Sequence, residues 1–160
     1  MESIYLNCSK ISLGTLNEIV LILPHYHSVG DVLNNLASNN VEVNKYKKEG
    51  AIVVVESKKA HYGLTQRFVG AMIMTKMLTR RADKLGKAGV TVISDMSLFF
   101  DIDKIEDLAI YEIDILHSIS NVKVKALCVY NKSDFEFHIE RQKQEHFLDV
   151  HTNKGIFFPN

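Results

Sequence analysis

Four short runs of aliphatic residues, with helix-period segments between them, constrain this chain's fold more than any other feature. They are Ile19-Val20-Leu21-Ile22-Leu23, Ala51-Ile52-Val53-Val54-Val55, Val90-Thr91-Val92-Ile93 and Val122-Lys123-Val124-Lys125-Ala126-Leu127-Cys128-Val129. Runs that are apolar on both parities suit strands buried on both faces, as in a parallel sheet covered by helices. In the last run the lysines fall at one end, so its middle is expected to be covered on both sides.

Helical periodicity fills the gaps. The spacing predicts a helix over Val29 to Ser38, with Val32, Leu33 and Leu36 on one face and Ser28 as its N-cap. A second runs from about Leu64 to Lys87 and ends at Gly86 or Gly89. The third starts at Asp103, with Glu106 in a capping-box arrangement and Ile105, Leu108, Ala109, Ile113 and Leu116 on its apolar face. Ser133-Asp134 opens the fourth, which continues through Phe135 and Ile139 toward Phe147; Gly155 to Phe158 reads as a short edge strand. Strand and helix alternating four times specify an α/β fold: one domain over residues 1–160, three layers, a mostly parallel sheet flanked by helices.

Composition removes whole classes of function. With 46% hydrophobic and 24% charged residues, the 160-residue chain is not a disordered or low-complexity one. Nineteen basic residues balance nineteen acidic ones, so no global field holds a polyanion, and nucleic acid is not an expected partner. The Met1-Glu2-Ser3-Ile4 start lacks a basic, apolar leader, and no apolar run approaches the about twenty residues of a membrane span. The expectation is a cytoplasmic protein without a membrane partner. Cys8 and Cys128 supply neither a disulfide framework nor a four-thiolate zinc site.

In an open parallel sheet, ligands bind outside the carboxyl ends of the strands. The first run delivers Pro24-His25-Tyr26-His27-Ser28 to that edge, and the second delivers Glu56-Ser57-Lys58 and then His61-Tyr62. Asp95-Met96-Ser97 follow the third, and Tyr130-Asn131-Lys132 with Asp134 follow the fourth. The candidate ligand-binding residues are His25, His27, Ser57, His61, Asp95 and Asn131.

Several chemistries are weighed against this edge. There is no G-x-x-x-x-G-K-[ST] phosphate loop and no G-x-G-x-x-G. Val90 to Asp95 does resemble a Walker B strand, whose carboxylate would hold magnesium. His25 and His27 with His61 and Asp95 could suit a divalent ion, but Pro24 interrupts the strand before them, and loop histidines on a solvated edge are the preferred reading. No metal, cofactor or catalytic residue is assigned. Cys128, mid-strand, reads as a buried thiol with a raised pKa, and no G-x-S-x-G elbow occurs. On the second helix Lys76, Arg80, Lys84 and Lys87 form a basic ridge beside Arg81, read as a solvated face or a protein contact. Met72, Met74 and Met77 read as adaptable core filling.

Taken in order, Gly50 to Val55, the long helix, Val90 to Ser97 with its acid-Met pair, Leu108 to Leu116, Ala126 to Asn131 and the late His151 resemble the methanogen/methylotroph sensory (MEDS) domain family. The resemblance spans roughly Glu18 to Phe157, with Met1 to Asn17 matching poorly and Asp95 standing where the family commonly has glutamate. It implies a RecA- and KaiC-like core that has lost its phosphate loop. It also implies a non-catalytic sensory input module of signalling and transcriptional regulators, often archaeal. Small hydrocarbon derivatives are the class of signal it suggests. On this reading a small-molecule ligand binds at the carboxyl edge, and the output passes to a signalling partner or through self-association as a homo-oligomer. The alternatives are a degenerate RecA-like nucleotide-binding enzyme with Asp95 on magnesium, and a pure oligomerisation or scaffold module using the 64–87 surface.

Overall fold

The computed structural model of the chain describes residues 2–62, 70–102, 104–105, 107–108, 111–112 and 122–139. Helix α1 (Glu2–Lys10) runs into a π-helical turn (Ile11–Thr15) and leads to strand β1 (Ile19–Leu23). Helices α2 (Val29–Ser38) and α3 (Val43–Glu49) precede β2 (Ile52–Val54). Next come α4 (Ser57–Tyr62), α5 (Gly70–Lys84), β3 (Val90–Asp95) and α6 (Ser97–Asp101). Strand β4 (Val124–Val129) and α7 (Lys132–His138) complete the described chain.

The four strands form one all-parallel sheet in the order β2-β1-β3-β4. Its registers pair Val20 with Ile52 and Thr91, and Thr91 in turn with Lys125. All five side chains of β1 are fully buried, as its unbroken apolar run requires. Alternate residues go to opposite layers. Val20 and Ile22 pack with Tyr5, Leu13, Val32 and Leu36 from α1, the π turn and α2. Ile19, Leu21 and Leu23 pack with Ala60, Ala71, Leu78, Phe99, Leu108 and Phe135 on the other face. Helices therefore cover both sides, and the three-layer α/β architecture follows.

Several boundaries differ from expectation for identifiable reasons. Helix α2 starts and stops as its pattern predicts, and Ser28 closes a full capping box with Asp31. The expected 64–87 helix is described only from Gly70 to Lys84, and α4 precedes it; residues 63–69 lie outside the described ones. Gly70 is where α5 touches α4: a Cβ there would sit 2.1 Å from the Ala60 carbonyl oxygen, so only glycine fits. Gly86, in the left-handed region at φ +64, ends α5, and the Lys87 amide bonds back to the Ala82 carbonyl at 2.9 Å. In the expected third helix, residues 105, 107, 108, 111 and 112 are helical; Asp103, Glu106, Ala109, Ile113 and Leu116 lie outside the described set. So do Phe147, His151 and the tail 155–158. Of the three methionines, Met74 packs against a core layer as a partly buried side chain, Met72 is also partly buried, and Met77 is 63% exposed.

The segment before β1, for which the pattern gives no structure, is α1 and the π turn. Here the Leu16 amide bonds five residues back to the Ile11 carbonyl at 2.9 Å. Asn17 then takes a left-handed conformation (φ 52), which asparagine tolerates, and its carbonyl accepts from the Ala88 amide.

Candidate functional site

The strand order places the topological switch point between β1 and β3, since the chain leaves β1 toward β2 on one side and returns to β3 on the other. Crevices at such points are where parallel α/β sheets hold ligands. Here the carboxyl ends of β1 and β3 deliver Pro24 to Ser28 and Asp95 to Ser97.

Asp95 is the centre of this edge and is fully buried. Its Oδ2 accepts from the His25 amide at 3.3 Å and its Oδ1 from the Ser97 amide at 3.1 Å. Tyr5, 2% exposed on α1, lies beside it; burial and then the Asp95 charge push the phenol well above its usual range. A weak hydrogen-bonding contact to Asp95 adds to that rise but falls short of full geometry, and the fully buried Ser97 hydroxyl makes no hydrogen bond of good geometry either. No lysine or arginine among the described residues pairs with Asp95.

The His25 to Ser28 loop crosses above this carboxylate and is held at its tip by two side-chain clasps. His25 Nε2 meets Asp101 Oδ2 at 2.6 Å, and the Tyr26 hydroxyl donates to Asp134 Oδ2 at 2.7 Å. Partial burial and that hydrogen bond raise the Tyr26 pKa, followed by the charges of Asp134, Asp101 and Asp95. Among the described residues, every charge acting on Tyr26 is thus a carboxylate. His27 turns the other way, its ring edge-on to Tyr5 at 6.2 Å and its Nδ1 3.8 Å from Glu2. The i, i+2 histidines diverge because β1 stops at Leu23 and the loop bends through them.

The other candidates occupy different positions. Ser57, fully buried at the start of α4, donates through its hydroxyl to the Asp95 carbonyl at 3.3 Å and through its amide to the Pro24 carbonyl at 2.8 Å. It ties the β2 end to both arms of the crevice. His61, one turn on, is fully buried in the layer opposite Tyr5, with Phe99 at 5.6 Å and Tyr111 at 4.9 Å. Burial lowers its pKa to about 4, so it is neutral at pH 7. Asn131 caps α7, its Oδ1 accepting from the Ser133 amide at 2.9 Å and the Asp134 amide at 3.4 Å. That cap orients Asp134 toward the clasp. Cys128, partly buried on β4, has its thiol pushed well up by burial and then by Glu112, which disfavours the thiolate.

Sequence reasoning brought Asp95, Ser57 and His25 to one place but passed over Tyr5. The only signal for Tyr5 is its i, i+4 spacing with Ser9, the buried pair of α1. An open groove of about 620 Å³ lies elsewhere, between α2 and α3, lined by Leu33, Asn34, Val41 and Lys47. It gathers no buried polar group, so Asp95 is the stronger site chemically.

The family model described as MEDS, the methanogen/methylotroph, DcmR sensory domain, matches residues 14–151, most of the chain. No curated protein and no solved structure matches the chain.

Proposed function

We propose, from the premise that the chain belongs to the MEDS family of sensory domains, that it binds a small ligand at Asp95 and signals occupancy through protein contacts. The observation that carries this reading is a fully buried carboxylate at the switch point, roofed by a loop fastened by two exposed clasps. A ligand shifts such an equilibrium only by binding open and closed loop states differently. His25 offers that difference, since its amide sits on Asp95 and its ring on Asp101. The anionic edge is the wrong sign for a bare polyphosphate.

For the output surface, Ile73 and Met77 lie one turn apart and exposed on α5, in line with Arg80 and Lys84. Reversing both charges (Arg80→Glu, Lys84→Glu) should then weaken self-association, read by sedimentation velocity.

Native mass spectrometry of the freshly purified chain, with and without magnesium-ATP, tests the ligand reading. A discrete non-nucleotide adduct that disappears in Asp95→Asn is the expected result. Saturable ATP adducts lost in that variant would overturn it in favour of a nucleotide-binding enzyme.

A further inference from the structure

We infer that the ligand held at Asp95 presents a positively charged, hydrogen-donating nitrogen, an organic ammonium group, and that Tyr5 of α1 completes its site. The inference rests on the sensory reading above and names the ligand class for the same site. An ionised carboxylate offers about four acceptor positions, and Asp95 uses two of them on backbone amides. Amides carry partial charge only, no cation among the described residues pairs with Asp95, and burying a full negative charge without one is costly. A ligand ammonium supplies both the missing charge and the missing donors.

A second, independent observation points the same way. The Tyr5 hydroxyl is buried against the carboxylate and interacts with it short of a full hydrogen bond, and no described donor serves its oxygen. A phenol can donate to Asp95 while its oxygen accepts from an ammonium N–H, so one group serves both partners. The field agrees: Asp95, Asp101 and Asp134 all act on Tyr26, and no cation among the described residues opposes them there. A neutral acceptor or an anion would meet three carboxylates. Tyr5 precedes the 14–151 family match, so this half of the site comes from the chain's own first helix. Glu2 fixes that helix to the loop and to α2, through His27 at 3.8 Å and Asn35 at 3.2 Å.

The test is calorimetric titration of the full chain with ethylammonium chloride, and with ethanol and sodium acetate as neutral and anionic probes of similar size at matched ionic strength. A fragment this small binds no tighter than about millimolar, so the titration extends well above that. Ethylammonium should saturate, Asp95→Asn should weaken it at least about tenfold, and Tyr5→Phe by a smaller factor of about three. Glu42→Gln, an exposed acid far from the crevice, should leave it unchanged. Circular dichroism checks that each variant folds. If Asp95→Asn does not, ethylammonium-induced amide shifts at His25 and Ser97 in the unaltered protein report the same contact. Saturable ethanol or acetate binding that depends on Asp95 would overturn the ammonium class and leave the sensory site intact. Ethylammonium heat identical in Asp95→Asn, or no saturation, would overturn it outright, and the adduct measurement then judges the site separately.

Discussion

The two ends of the sheet each bury a carboxylate, and they treat it differently. At the amino end, Glu18 accepts from the Thr91 hydroxyl at 2.6 Å and from Lys125 Nζ at 2.6 Å, while Ser12 donates to Thr91 at 2.9 Å. Thr91 and Lys125 are direct register partners, so the network crosses three strands and fastens β4 to β1 through β3. At the carboxyl end, Asp95 has amides and a nearby phenol, and the buried hydroxyls of Tyr5, Ser94 and Ser97 lack well-formed hydrogen bonds. A polar group matched within the chain contributes to folding, whereas one left short of partners retains free energy for something that binds later.

Five variants can break or sharpen this contrast. The largest effect belongs to the satisfied end: Glu18→Ala should cost about 3 kcal/mol in urea unfolding, because it strands the Thr91 hydroxyl and removes a buried acceptor. Lys125→Met should cost much less, since Lys125 is half exposed. A small Glu18→Ala effect would remove the distinction between the two ends.

Acid should act next, through His61. Its folded pKa, about 4, lies below the ordinary histidine value, so the unfolded chain takes up the proton first. Stability is then full above about pH 6.5 and falls as pH drops toward 4, by up to about 3 kcal/mol. His61→Phe should flatten that limb in denaturant melts at stepped pH; an unaltered limb would assign it to the carboxylates instead.

Asp95→Asn should move stability by no more than about 1 kcal/mol, because removing a buried charge offsets the one backbone amide, of His25 or Ser97, left facing the new NH2. A loss as large as that of Glu18→Ala would mean that Asp95 is structural. Smallest of all, Tyr26→Phe should cost about 0.5 kcal/mol, having lost one exposed hydrogen bond. Its informative readout is faster hydrogen exchange at the His25 amide.

Much of this architecture is legible along the chain. The strand runs, the Val29–Ser38 helix and the convergence of Asp95, Ser57 and His25 all follow from local patterns, because periodicity and caps are short-range signals. Glu18 is different. It stands at the start of an apolar run, and its partner Lys125 is over a hundred positions away, so only strand order reveals the pair. Tyr5 escapes for a related reason: α1 buries just Tyr5 and Ser9, too narrow a stripe to mark a helix. Asn131 reads as a ligand group from its strand-end position, yet the helix begins at Lys132 and claims its oxygen as a cap.

The π turn at Ile11–Thr15 bears on all of this as a matter of counting. Such a turn is an α-helix carrying one surplus residue. Deleting one position there would restore regular winding while Leu13 stayed against the core, and it would swing Tyr5 through about 100° around the helix axis. The phenol would leave Asp95 with every side chain of α1 unchanged. The partnership between the first helix and the crevice is therefore encoded in a length, and single-residue insertions or deletions, more than substitutions, are the changes through which it could be made or lost.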